Sequence, residues 1–150
     1  MKLAVIAALS AMLVAAPSQA ARYYVGSVTK TNSTFADFDT FRVMENGHRQ
    51  ILETTILDGY EYPYMKTLVE YDCAKATMRS ITSTAYDEHD KALITSGPGD
   101  VNPIIPGSVG SEMMSLVCRG AGPLEAAFIG DRQPMELLKI FKRVPLERRN

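Results

Sequence analysis

The chain has 150 residues, 46% of them hydrophobic and 22% charged, with 16 Lys and Arg against 17 Asp and Glu. That balance excludes a general nucleic-acid binder, whose phosphate contacts demand a basic excess. Length and composition suit one domain able to bury on the order of two-thirds of its unfolded surface.

The N-terminus predicts export. Lys2 gives a positive start, Leu3–Ala16 is apolar apart from Ser10, and Pro17-Ser18-Gln19-Ala20 places small residues at Ser18 and Ala20. Charge, short apolar core and small-x-small exit are the parts of a secretory signal peptide, with cleavage expected between Ala20 and Ala21. The competing reading, an uncleaved anchor, is disfavoured because a membrane-spanning helix needs roughly 20 apolar residues. Cleavage removes Lys2 alone among the charged residues, leaving 15 basic against 17 acidic. No Cys stands near the exit, so a lipoprotein is not expected, and no later stretch is apolar for long enough to span a bilayer. The expected location is the periplasm or the medium.

Downstream, Arg22–Thr29 alternates and is rich in Tyr and Val, which predicts a strand. Lys30–Ser33 is a polar turn, Thr34–Phe38 a second short strand, and Asp39–Met44 is ambiguous. Asn46-Gly47 signals a turn, because both residues tolerate positive φ. Arg49–Leu57 predicts a strand that Asp58-Gly59 ends. Pro63 delays the next strand to Tyr64–Cys73, where Met65, Thr67, Val69 and Tyr71 share one face and Lys66, Leu68 and Glu70 the other. Thr77–Tyr86 and Lys91–Thr95 are strands on either side of the charged turn Asp87–Asp90.

Ser96–Gly107 holds Pro98, Pro103 and Pro106 with three Gly, and predicts an irregular loop. Ser108 can cap a helix over Val109–Arg119, ended by Gly120, with Val109, Met113, Leu116 and Val117 on one stripe. Gly120–Pro123 is a linker and Ala126–Ile129 is too short to assign. Pro134 suits the first turn of a second helix over Met135–Arg143. Its Leu137, Leu138 and Phe141 would face inward, and Lys139, Lys142 and Arg143 outward. Leu146–Asn150 is a loose tail. Strands joined by short turns, with helices only at the end, predict an α+β fold built on an antiparallel meander.

Two cysteines, Cys73 and Cys118, remain. An even count in an exported chain reads first as a disulfide, worth about 4 kcal/mol on the chain-entropy model. Two separate buried thiols are the alternative. A metal pair has no further His or Cys at ligand spacing.

Chemistry is sparse. His48 sits in the Asn-Gly turn with no predicted orienting partner or nucleophile, which reads as a solvated histidine. His89 lies among Asp87, Glu88 and Asp90 at a spacing that matches no calcium loop, and reads as a solvated turn. Asp37 and Asp39 would share a strand face at a water-facing end. Gly97-Pro98-Gly99 lacks the Lys and helix of a phosphate loop, and Gly107–Ser111 has the wrong spacing for a nucleophile elbow. No cofactor or metal site is expected. Tyr60, Tyr62 and Tyr64 recur at period two beside Pro63; they would form an aromatic binding patch if exposed, or pack on the sheet rim. The basic second helix could touch anionic lipid or dock with a solvated face.

One pattern carries a resemblance. Val69-Glu70-Tyr71-Asp72-Cys73 ends a strand, Thr77-Met78-Arg79-Ser80 follows in the next, and Pro106-Gly107-Ser108 precedes a short helix ending in Cys118. With the early Phe38-Asp39-Thr40, these elements resemble the bacterial surface-adhesin protein E family over about Tyr23–Gly120. The resemblance implies a curved antiparallel sheet of about six strands, with a helix on its concave face tied there by a Cys73–Cys118 disulfide. It further implies a protein of the cell surface that binds matrix or serum proteins. The chain departs from the pattern in three ways. It has no Trp, with Val101 or Asn102 standing in that region. It lacks a lipid-anchor Cys, and it continues after Gly120. The division expected is a leader over 1–20, the adhesin-like domain over 21–120 and a helical, basic extension over 121–150. The function expected is protein–protein binding at the envelope by a non-enzyme. A periplasmic inhibitor of a hydrolase is the alternative, and a hydrolase the least favoured.

Overall fold

A computed structural model describes residues 23–29, 31–119, 128–130 and 133–143. The expected leader, its exit at Ala20 and Ala21, and the tail Leu146–Asn150 lie outside them. In chain order the elements are β1 (Tyr23–Val28), β2 (Asn32–Val43), β3 (Arg49–Leu57), β4 (Tyr64–Asp72), β5 (Thr77–Tyr86), β6 (Ala92–Ser96), β7 (Asn102–Pro103), α1 (Val109–Cys118), β8 (Phe128–Gly130) and α2 (Pro134–Arg143). The strands form one open antiparallel sheet in the order β6-β5-β4-β3-β2-β1-β8, with β7 beside β5. β7 and β8 are short pieces, so six full strands carry the sheet, as the pattern predicted.

Two stretches differ from expectation. The second strand runs twelve residues, from Asn32 to Val43, not over Thr34–Phe38 alone. Its alternation fails after Asp37 because the register with β3 shifts between Asp37 and Arg42. Thr40 braces that irregularity: its hydroxyl donates to the Asp37 carbonyl at 2.7 Å and accepts the Leu52 N–H at 2.8 Å. A bulge of this kind reverses side-chain direction, which hides the strand from a period-two search. In the loop Ser96–Gly107, Asn102 and Pro103 pair with Met78 and Thr77 and so tie the loop to β5.

Cross-strand partners share a face of the sheet. One face carries Ala36, Ile51, Val69 and Tyr71, and α1 covers it with Met113 and Val117, both fully buried. The other face carries Phe35, Ile56 and Tyr64, and α2 covers it with Leu137 and Leu138. The helices therefore lie on opposite sides of the sheet. β4 consequently buries Val69 and Tyr71 on one face and Tyr64 on the other.

Three restraints hold α1. The Ser108 hydroxyl accepts the Ser111 N–H at 3.3 Å, capping the start. The last turn has no basic residue of its own. Arg49 of β3 supplies the charge, its guanidinium donating to the Val117 carbonyl at 2.8 Å and to the Cys118 carbonyl. A cation there answers both the unpaired carbonyls and the negative end of the helix dipole. The third restraint is the disulfide between Cys73, just after β4, and Cys118, with Cα atoms 5.8 Å apart.

Gly26 lets the helix approach. It sits at a register shift between Val25 and Ser27, and a Cβ built there would lie 1.7 Å from the Met113 sulfur. Gly26→Ala must displace a buried Met113, which overpacks the core. The expected loss is about 1–3 kcal/mol, read as a lowered urea midpoint.

Two described elements after α1, β8 and α2, pack on the same sheet. β8 pairs with β1, and α2 then packs across β2 and β3. Leu137 and Leu138 face inward and Lys139 and Arg143 outward, as predicted. The Phe141 and Lys142 side chains lie outside the described residues. Under α2, the Ser33 and Thr54 hydroxyls are buried and find no hydrogen-bond partner among the described residues. No helix among the described residues is long and apolar enough to cross a membrane.

Candidate functional site

The three tyrosines near Pro63 do not form one patch. Tyr64 opens β4 and is buried to 1% exposure, its ring stacked on Tyr86 at 5.0 Å. Its hydroxyl donates to Asp90 Oδ1 at 2.5 Å, and burial first, then Asp90, pushes it above the ordinary phenol range. Tyr60 and Tyr62 lie in the loop between β3 and β4, before the strand begins. Tyr60 is 57% exposed and Tyr62 half-buried. Period two marks a shared face only within a strand, and two of the three stand outside one.

Tyr60 instead lines a groove of about 530 Å³. Antiparallel pairing brings the β3–β4 loop and the β5–β6 turn to the same end of the sheet, and α2 lies across that end. Leu57, Pro63, Met135 and Leu138 supply apolar surface, while Glu61, Asp87, Glu88 and Lys139 supply charge. Asp87 is held below the usual carboxylate range, first by the Lys91 backbone N–H and then, against some burial, by that of His89. His89 itself is exposed in the turn, as expected.

His48 is not merely solvated, a correction to the sequence reading. The Asn46-Gly47 turn closes with Gly47 at φ +81, and the imidazole then lies between two carboxylates of β4. Its Nδ1 is 3.2 Å from Glu70 and its Nε2 3.3 Å from Asp72. Glu70 also accepts from Gln50 at 2.9 Å and from Arg79 at 3.1 and 3.0 Å. The hydrogen bond from Gln50, with those from His48 and Arg79, holds Glu70 below the ordinary carboxylate range against the cost of its burial. Asn46, His48, Glu70, Asp72, Arg79 and Val101 line a smaller cleft of about 200 Å³. Glu70 and Asp72 are both engaged within the cluster, which makes it a lock between strands. The sequence concealed it because His48 and Glu70 are 22 residues apart and meet only through the β3–β4 register.

Asp37 and Asp39 do not present paired carboxylates to water. Asp37 is 5% exposed and accepts the Asp39 N–H at 3.1 Å within the β2 bulge. Among the described residues, no group of three or more His, Cys, Asp or Glu is placed to hold a metal ion.

The sequence reading passed over Glu53. It alternates with Ile51 and Thr55 on the α1 face of β3 and is 8% exposed. The Tyr71 hydroxyl donates to it at 2.5 Å. Burial pushes Glu53 up to about 7, opposed by the Tyr71 hydrogen bond, and pushes Tyr71 above the ordinary phenol range. The signal was present: a lone acid inside an apolar alternation faces the core.

An antiparallel sheet of six full strands, a helix stapled to it by Cys73–Cys118 and a Pro-Gly-Ser entry to that helix define a disulfide-tied α+β domain. The family model of surface-adhesin protein E matches residues 15–119, and the chain belongs to that family. No curated protein and no solved structure matches the chain. The family-matched segment ends at Arg119, so β8 and α2, with one wall of the groove, lie beyond it.

Proposed function

We propose that the chain is exported, cut between Ala20 and Ala21, and acts at the cell envelope by binding another protein in the groove between α2 and the β3–β4 loop. The observation that carries this reading is the groove itself: about 530 Å³, with an apolar floor, an exposed tyrosine and a charged rim. Apolar surface with an aromatic anchor inside a polar rim is the anatomy of a protein-binding site. Membership of an adhesin family supports binding over catalysis, as does the engagement of His48 by two carboxylates. The disulfide suits an oxidising compartment outside the cytoplasm.

The test is capture of envelope and matrix proteins by purified residues 21–150. Tyr60→Ala is expected to weaken the captured partner's affinity by roughly 30-fold, the effect of losing an interface anchor. Tyr60 is exposed, so the variant keeps its thermal midpoint. A captured partner that ignores Tyr60 would move the binding site elsewhere. Capture of an envelope hydrolase whose activity falls on binding would establish the inhibitor reading in place of adhesion.

A further inference from the structure

The rim of the groove is unbalanced. Among the described residues that line it, Glu61 and Glu88 are exposed and Asp87 is held ionised, against one ammonium, Lys139. Beneath the rim, Leu57, Pro63, Met135 and Leu138 make an apolar floor, and Tyr60 stands at its side. Three separate chain segments line an open trough, which suits an extended peptide better than a compact small molecule. The carboxylates attract cationic side chains, and the floor buries an apolar one between them. Resting on the reading that the groove binds protein, we propose that it takes an extended basic segment of the partner, in which an apolar side chain lies between Lys or Arg residues. The charge that selects this class comes from the two loops, and α2 provides the apolar wall. An acidic segment would meet repulsion at Glu61, Asp87 and Glu88, with Lys139 the one cation among the described lining residues to receive it.

The experiment uses two labelled peptides, Arg-Leu-Arg-Leu-Arg and its charge-reversed form Glu-Leu-Glu-Leu-Glu, titrated into the exported protein and followed by fluorescence anisotropy. The basic peptide is expected to bind and the acidic one not. Glu61→Lys with Glu88→Lys should weaken the basic peptide by roughly tenfold or more, and Lys139→Glu should strengthen it. Added salt should weaken it as exposed charges are screened. Asp100→Lys, an exposed site toward the other end of the sheet, makes the same kind of charge change away from the groove and should leave binding unaltered. All four positions are exposed, so unchanged thermal midpoints would exclude misfolding. Equal binding of both peptides, an Asp100→Lys effect as large as that of the groove variants, or no binding by the basic peptide would overturn the proposal. Capture of a protein partner that depends on Tyr60 but not on Glu61 and Glu88 would overturn the basic segment alone and leave the protein-binding reading intact. Loss of all capture would remove both.

Discussion

Replacing Cys73 and Cys118 with alanine is expected to lower the stability of the domain by about 4 kcal/mol while leaving it folded. The bond closes a sequence separation of 45, and removing it returns that loop's entropy to the unfolded chain. α1 has ten residues, too few to persist as an isolated helix. It stays docked through the burial of Met113 and Val117 and through the Arg49 bonds to its final carbonyls. With a urea slope of about 2 kcal/mol per molar, the loss reads as a midpoint lowered by about 2 M. A fall below about 0.5 M would show that the sheet and Arg49 position the helix unaided. Arg49→Ala in the disulfide-free protein should then detach α1, seen as loss of helical circular dichroism with the sheet signal retained.

Stability is also expected to fall as pH rises from about 4.5 to about 7, because of Glu53. In the unfolded chain its carboxyl titrates near 4.5, and in the folded protein near 7. Between those values the native state holds a proton that the unfolded state has released, so stability decreases with rising pH. The contribution is fully present below about 4.5 and lost above about 7. A shift of that size corresponds to about 3 kcal/mol. Glu70, Asp72 and Asp87 are shifted in the opposite direction, so their contribution holds above the ordinary carboxylate range and is lost in stronger acid. The difference between wild type and Glu53→Gln isolates Glu53, since Gln keeps an acceptor for the Tyr71 hydroxyl. Urea midpoints measured from pH 4 to 8 should converge with the variant's at low pH and fall below them at neutral pH. Parallel profiles for the two proteins would show that Glu53 titrates at the same pH folded and unfolded, and would overturn the shift.

Much of the fold was legible because its signals are local. Alternation marked β4, and strand-forming stretches between turn residues marked β3 and β5, all to within a residue; Ser108 and Pro134 marked the starts of the helices, and Asn46-Gly47 marked a turn. Local signals failed where a neighbouring strand decides the conformation. β2 was cut short because Thr40 braces a bulge that breaks the period. β8 is three residues and exists only as a partner for β1. Of the candidate site, the sequence left the three tyrosines open between an exposed patch and packing on the rim; Tyr60 takes the first course and Tyr64 the second, because the loop ends between them and α2 covers the strand that follows. His48 was misread for a related reason, since Glu70 and Asp72 reach it only through the pairing of β3 with β4.

By itself the sequence determined the sheet of six full strands, the placement of both helices and, through the family pattern, the pairing of Cys73 with Cys118. Spacing, caps and turn residues carry that information within a few residues of chain. Only the tertiary structure decided that the helices take opposite faces, that Glu53 titrates inside the core and that α2, two loops and Tyr60 enclose a groove. Those features depend on distances between segments tens of residues apart, and such distances follow from register and packing, which no local pattern encodes.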